Sequence, residues 1–516
     1  MKLPGTPAVY AAIMAIFGQT PAGIHLGFLL VNAATTVLVY FLAVRLSGKL
    51  AAVVAAAFYA SLSTNGFVLG LAFHAEALVV LAALGGILLL LKAVEGERSW
   101  LFFASGALFG LGFLMKQSGL AFAAFGLLYL IKSEWKRPLD RPILATWGTA
   151  AHLVNSRVGG FALGVALPFA LTCLMLAASG VFETFWFWTV AYASQYASEL
   201  GFSEGLRMFV AMFPPIAGAA SGFLFSRPPM EHHDPGQWII AAVGIAFLWQ
   251  RENRPRAFFV GSLLFFSFLA VCPGFYFRAP YFVQLLPAAA LLAGIAINSA
   301  TQRLILARCG LPLITIPVLF YLIAFAWSVA SQRTFLFELN PQIACRFAYG
   351  GEPFPEAAEV GNYIRNHASK DARIAVLGSE PEILFYAKRL SATGTIYMYG
   401  LFEQQPYALQ MQKQMIDEIE SAHAEFLVRV RSPGSWGMQP GSPGVQAFFS
   451  WVNPYVNGGV VSTSWSALRI SGSTKPSIAG GLMKRKPTKK PIGISHIPRK
   501  PHPENTVEVF KRKAIS

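Results

Sequence analysis

The sequence predicts a polytopic α-helical membrane protein of about ten spans, followed by a small soluble α/β domain. Three observations predict it. The 516 residues are 55% hydrophobic and 13% charged, where soluble proteins carry roughly 25% charge. Long runs hold no charge at all, as in "WLFFASGALFGLGFLM" (100–115) and "GGFALGVALPFALTCLMLAAS" (159–179). After Ala330 the apolar runs stop and short strand-like and helix-like segments alternate.

The opening residues do not form a signal peptide. Lys2 is followed by Pro4 and Pro7 and only a short apolar patch, whereas a signal peptide needs a basic start, an apolar run and a small-residue cleavage site. Residues 1–21 are therefore expected as an interfacial segment. Apolar runs of about 17–25 residues suit single helical spans. They occur near 22–44, 50–68, 72–91, 100–115, 119–131, 158–179, 237–250, 257–273, 282–299 and 310–330. In 206–225, the Pro214-Pro215 pair would break or kink a helix, so this stretch is expected to be interfacial or re-entrant.

Loop charge sets the orientation. "RLSGK" (45–49), "KAVEGER" (92–98), "KSEWKRPLDR" (132–141), "RENRPR" (251–256) and "TQRLILAR" (301–308) are all basic. Basic loops favour the cytoplasmic side, and these share one side only if 206–225 does not cross. Residues 66–75, 116–118, 180–236, 274–281 and everything after 331 then face outward. So do residues 1–20, with no span upstream to deliver them.

Residues 22–331 are thus the membrane domain and 332–355 a linker. Residues 356–470 are read as an outward, periplasmic α/β domain. "EAAEVGNYIRNHA" has helical spacing, "RIAVLG" reads as a buried strand, and "PEILFYAKRL" as a helix with proline in its first turn. "TIYMYG" and "EFLVRV" read as further strands flanking the helix "ALQMQKQMIDEIESA". The alternation suggests a small, mainly parallel sheet. Neither GxGxxG nor a P-loop is present. Residues 471–516 are basic, rich in proline and serine, and expected to be disordered.

The tail supplies +9 of the net charge of +16. In a membrane protein such an excess is first a topology signal, not a sign of nucleic acid binding. Cys173, Cys272, Cys309 and Cys345 form no CxxC and give neither a metal site nor a disulfide framework.

Ionisable residues in spans are costly and need a reason. Glu76, at the start of the third span, is the strongest case. It either complements the positive end of the helix dipole or faces an outward cavity as a base, a metal ligand or a substrate contact. His74 shares its face only if the helix begins after it. Lys116 and Gln117 occupy a tight turn between two spans; the lysine either snorkels to the headgroups or meets a phosphate. Arg278, among Tyr276, Phe277 and Tyr281, is either an interfacial anchor or a planar phosphate binder. Trp186, Trp188, Tyr192 and Tyr196 suit sugar stacking or a membrane interface. A carboxylate, cations and aromatics at the lipid boundary would suit sugar transfer from a polyprenyl phosphate.

The runs "PAVYAAIMAIFG", "VLVYFLAVRLSGKLAAVVAAAFYA", "HAEALVVLAALGGILLLL" and "ALFGLGFLMKQSG", in that order, resemble the bacterial branch of the dolichyl-phosphate-mannose protein mannosyltransferases. Aminoarabinose and galacturonosyl transferases are its relatives. The likeness covers about residues 5–300, and "RIAVLGSEPEILFYA" resembles the C-terminal periplasmic domain of some members. It implies a C-fold glycosyltransferase of the bacterial inner membrane. Such an enzyme moves a sugar from a polyprenyl-phosphate donor to a lipid, glycan or protein acceptor, and a divalent metal is implied. On this resemblance Glu76 is implied as catalytic and as a metal ligand. His74, Lys116, Gln117, Arg278 and Tyr281 are implied as substrate contacts. Two departures stand out. Family members begin with an earlier span and an acidic outward loop, implied to carry the base, and the present chain shows neither. Many also have His where this chain has Pro280. Other classes to weigh are a non-catalytic polyprenyl-lipid binder or scaffold, and a transporter.

Overall fold

The computed structural model describes residues 3–96, 98–135, 157–216, 235–350, 352–439, 441–457, 465–471 and 506–512. The chain divides into two compact units, Met1–Glu338 and Leu339–Ser516.

The first unit is helical. It contains α1 (Gly5–Phe17), α2 (Pro21–Ser47), α3 (Lys49–Ser63), α4 (Ala75–Gly96), α5 (Ser99–Met115), α6 (Leu120–Trp135) and α7 (Arg157–Ala178). A broken stretch follows: α8 (Phe182–Trp186), a π turn (Phe187–Ala191), α9 (Tyr192–Ala197) and α10 (Phe202–Ile216). The unit closes with α11 (Gly236–Leu248), α12 (Arg254–Val271), α13 (Leu286–Leu306) and α14 (Leu311–Ser331). Every one of the ten expected spans coincides with a helix. Six stretches among the described residues are long and apolar enough to cross a membrane: Pro21–Ser47, Ala75–Gly96, Arg157–Ala178, Arg251–Val271, Ala279–Leu306 and Leu311–Ser331. Four shorter apolar helices, α1, α3, α5 and α11, accompany them.

Local chemistry explains why the second expected span is cut short. α3 stops at Ser63, and the Asn65 side chain accepts a hydrogen bond from the Phe67 amide. Such a capping turn competes with helix continuation. Two 3₁₀ turns follow, Gly66–Val68 and Gly70–Ala72, with Leu69 and Phe73 both at φ +50°. The ninth expected span also begins differently. Residues Ala279–Leu285 form a 3₁₀ segment, and Pro287 then starts α13, a position proline favours. Tyr281 therefore lies in this segment, where the sequence suggested a loop. In the 206–225 stretch, α10 ends at Ile216, and residues 217–234 lie outside the described residues.

α13 is the central helix, buried almost throughout from Leu286 to Ile297. It packs on α3 and α11, while α4, α5 and α7 form the adjoining layer. Glycines let α5 and α7 touch. A Cβ at Gly106 would lie 2.1 Å from the Phe161 carbonyl oxygen, and one at Gly164 2.2 Å from that of Phe103. Small residues commonly allow membrane helices this close approach. On the outer faces, large apolar residues are exposed, among them Leu174 and Met175 on α7 and Phe320 and Ile323 on α14. Large apolar residues exposed on helices of this length suit contact with lipid.

The second unit contains α15 (Pro341–Tyr349), α16 (Phe354–His367), α17 (Glu382–Ala387), α18 (Tyr399–Phe402), α19 (Ala408–Ser421) and α20 (Val445–Asn457). These accompany a five-stranded sheet of order β2-β1-β3-β5-β4. Its strands are β1 (Arg373–Leu377), β2 (Leu390–Ser391), β3 (Phe426–Val430), β4 (Trp465–Ser471) and β5 (Thr506–Arg512). β1 runs parallel to β2 and β3, whereas β5 is antiparallel to β3 and β4. The sheet is thus mixed rather than mainly parallel.

Three expectations are corrected here. The unit begins at Leu339, so the expected linker 332–355 contributes α15. "TIYMYG" is not a strand: Thr393 Oγ1 donates to the Thr395 carbonyl, the Met398 amide donates to Ser379 Oγ, and α18 starts at Tyr399. Side chains meet the backbone groups that a strand ladder would use. The expected disordered tail contains β5, in which Val507 and Val509 are buried and Glu508 pairs with Arg431. The remaining tail residues, 472–505 and 513–516, lie outside the described residues.

Candidate functional site

Three of the residues singled out from sequence meet at one end of the helical unit. Glu76 is the second residue of α4 and is 3% exposed. Its position suits a carboxylate, because the first turn offers unpaired amides and the positive end of the helix dipole. Lys116 ends α5 in an extended conformation and opens the 3₁₀ turn Gln117–Gly119. Its ammonium donates to Glu76 Oε1 at 2.5 Å. On another side the same ammonium lies 3.5 Å from the centroid of the Tyr281 ring. One cation thus touches both a carboxylate and an aromatic face, and cation–π contacts add about 0.5–2 kcal/mol.

The supporting residues come from distant parts of the chain. Ser118 Oγ donates to Gln284 Oε1 at 2.8 Å, and Gln284 Nε2 donates to the Ala270 carbonyl at 3.2 Å. This ties the turn after α5 to the 3₁₀ segment and to the last turn of α12. α1 braces the opposite flank. Thr6 Oγ1 donates to the Met115 carbonyl at 2.8 Å, and the Tyr10 hydroxyl donates to the Phe73 carbonyl at 2.5 Å. The Tyr10 and Phe73 rings stack at 5.1 Å. The first helix therefore grips the residue before Lys116 and a residue three before Glu76.

The other expected residues lie around this cluster. α4 begins at Ala75, after His74, whose carbonyl accepts from the Ala77 amide. The imidazole is within electrostatic range of Glu76 and lines a small cavity with Asn32, Tyr59 and Ser63. Gln117 is half-buried in the 3₁₀ turn. Arg278 belongs to a different contact set. It is exposed, with its guanidinium 5.1 Å from the Tyr276 ring, and Tyr276 donates to Glu199. Of the expected aromatic group, Tyr192 is fully buried against Trp188 and Trp186 is exposed. The side chain of Tyr196 lies outside the described residues.

Sequence reasoning missed Ser118, Gln284, Thr6 and Tyr10. Gln284 carried a signal, since it is an isolated amide in the apolar run "FVQLLPAAALL" and must find partners when buried. The expected metal finds no support in the donor set. Among the described residues no three His, Cys, Asp or Glu side chains converge, and a Glu76 oxygen is committed to Lys116.

The fold and site define the class: a multi-pass helical membrane protein with a buried ion pair at one end of its bundle. Residues 2–158 match the family model described as dolichyl-phosphate-mannose-protein mannosyltransferase. No curated protein matches the chain. Among solved structures it is similar to ArnT from Cupriavidus metallidurans bound to undecaprenyl phosphate. Identity there is 15% and the TM-score 0.49, over 99% of this chain and 87% of that one. For the apo state of the same protein the figures are 16%, 0.45, 84% and 83%. The apo oligosaccharyltransferase of Archaeoglobus fulgidus gives 14% identity and a TM-score of 0.44 over 83% of this chain. The chain spans 61% of the length of that archaeal protein.

Proposed function

We propose that the protein is a membrane glycosyltransferase that takes a sugar from a polyprenyl-phosphate donor and passes it to an acceptor in the cell envelope. The single observation that carries this reading is the Lys116 ammonium, set between the Glu76 carboxylate and the Tyr281 ring at an end of an apolar bundle. A lipid-linked phosphate needs such a place: a cation for the headgroup beside an apolar surface for the chain. The family match over residues 2–158 supports the same reading.

The chemistry follows from charge. An acceptor hydroxyl attacks the anomeric carbon, the bond from that carbon to the phosphate oxygen breaks, and the polyprenyl phosphate leaves with the bonding electrons. Lys116 stabilises the charge that grows on that phosphate. A phosphate beside Lys116 competes with Glu76 for the ammonium. The released carboxylate can then take the hydroxyl proton as a general base. Sugar transfer from an undecaprenyl-phosphate-linked donor tests the assignment. Glu76→Gln should lower it by about a hundredfold or more, and retained transfer would make Glu76 structural.

On this reading Glu76 and Lys116 lie at the outer side of the bacterial inner membrane, and the chain after Ser331 is periplasmic. Basic residues in the opposite loops support this orientation. A reporter active only in the periplasm, fused after Ser331, should give signal; activity of a cytoplasmic reporter there would reverse the topology.

One observation favours a second reading. The Glu76–Lys116 pair is already neutral within the protein, as expected of a polyprenyl-lipid binder without catalysis. Phosphate-lipid binding with no transfer to any envelope acceptor would select that reading.

A further inference from the structure

Behind the ion pair sits one fully buried amide. Gln284 is 0% exposed. It accepts from Ser118 Oγ at 2.8 Å, donates to the Ala270 carbonyl at 3.2 Å, and lies 3.4 Å from the Tyr281 carbonyl. A buried amide is costly unless its hydrogen bonds are made, and an apolar side chain would fill this space without that cost. We propose that Gln284, acting through Ser118, is the positioning residue that sets the Lys116 ammonium between Glu76 and the Tyr281 ring.

The argument is geometric. Lysine carries a point charge on a flexible four-carbon stem, so the backbone that carries it decides where the charge can rest. Lys116 leaves α5 at φ −159°, outside helical geometry. Its amide still donates to the Gly112 carbonyl of α5, while its carbonyl accepts from the Gly119 amide, so the following turn shares in setting its position, and Ser118 is a buried side chain of that turn with a bond to another element. On the facing side, Tyr281 and Gln284 are three residues apart in a 3₁₀ segment, where residues i and i+3 eclipse and share a face. One hydrogen bond between Ser118 and Gln284 thus fixes the separation of the backbones that carry the ammonium and the ring. Gly119 tightens the arrangement, since a Cβ there would lie 2.5 Å from the Gly112 carbonyl oxygen. The turn is folded back on α5 and has little room to slide.

The consequence for phosphate binding rests on the function proposed above; the placement of the ammonium does not. Two readouts on the intact protein in lipid nanodiscs separate them. The first is the rate at which an amine-reactive ester acylates Lys116 without ligand, mapped by peptide mass spectrometry. Gln284→Leu and Ser118→Ala should raise it about tenfold, and Ser118→Thr, which keeps the hydroxyl, should leave it at the parental rate. Parental rates in both Gln284→Leu and Ser118→Ala would overturn the proposal. Ser118→Ala removes only one oxygen and guards against a Gln284 variant that fails to fold.

The second readout is the affinity for undecaprenyl phosphate. Either variant should weaken it about tenfold. The two together should do no more than one alone, and neither should matter in a Lys116→Met background. A further loss in that background would show a general structural role and overturn the proposal. If Lys116→Met itself binds like the parent, the phosphate reading falls, and the acylation rate alone decides the positioning role.

Discussion

The ammonium of Lys116 lies 2.5 Å from a carboxylate oxygen of Glu76, forty residues earlier in the chain. The glutamate side chain is 4% exposed and the lysine 24%. Removing one partner of such a buried pair leaves an uncompensated charge and costs about 3–5 kcal/mol. Lys116→Met and Glu76→Gln should each lower the thermal unfolding midpoint in detergent. The double variant should lose less than the sum of the two, because no charge is left stranded. Additive losses would show that the two residues do not interact in solution.

Tyr10 tests the bracing role of α1. Tyr10→Phe keeps the ring stack on Phe73 and removes only the hydroxyl bond to its carbonyl. One such bond is worth about 1 kcal/mol. Hydrogen exchange should quicken locally at the start of α4, around Ala77, and stay unchanged in α13. Uniform quickening would contradict a local clamp.

The crossing of α5 and α7 depends on having no side chain at Gly106 and Gly164. Gly106→Ala places a Cβ against backbone that cannot swing away, so the helices must separate. A loss of about 1–3 kcal/mol is expected, as for overpacked cores. Gly96→Ala, where a Cβ meets nothing within 4 Å, is the control and should be neutral or better. Equal effects at the two sites would contradict the packing account.

Glu380 and Glu382 make the second unit sensitive to pH. Burial, together with the neighbouring Glu352, pushes their carboxyls from the ordinary 4.5 up to about 7 and about 8. Both groups hold protons in the folded state at pH values where the unfolded chain has lost them. Their stabilisation is complete below pH 4.5 and is lost as pH rises through 7 to 8. Denaturant unfolding followed through Trp436, which packs against Phe402 in this unit, should show stability falling across that window. Glu380→Gln with Glu382→Gln should flatten the slope. A slope of opposite sign would contradict the burial argument.

The helices were legible because apolar runs of membrane length have one structural outcome, and all ten coincide with helices. Their ends were less so, since Asn65 capping a 3₁₀ turn or Pro287 starting α13 is a local event inside an apolar run. Glu76, Lys116 and Tyr281 could be picked out because charge and aromatic rings are rare in such runs. Their convergence could not be read, because the contacts join residues as far apart as Ser118 and Gln284. β5 was hidden by averaging: "TVEVF" is strand-like, but the basic residues around it set the composition of the tail. "TIYMYG" failed the other way, with strand composition but a backbone bonded to Thr393 and Ser379.

The most direct test of the account is the affinity of the purified protein, in nanodiscs of zwitterionic lipid, for undecaprenyl phosphate, compared with that of Lys116→Met. A charge-assisted phosphate contact contributes about 1.5–3 kcal/mol, so the variant should bind more than about tenfold more weakly. Equal binding by the two proteins would contradict the assignment of Lys116 as the phosphate site.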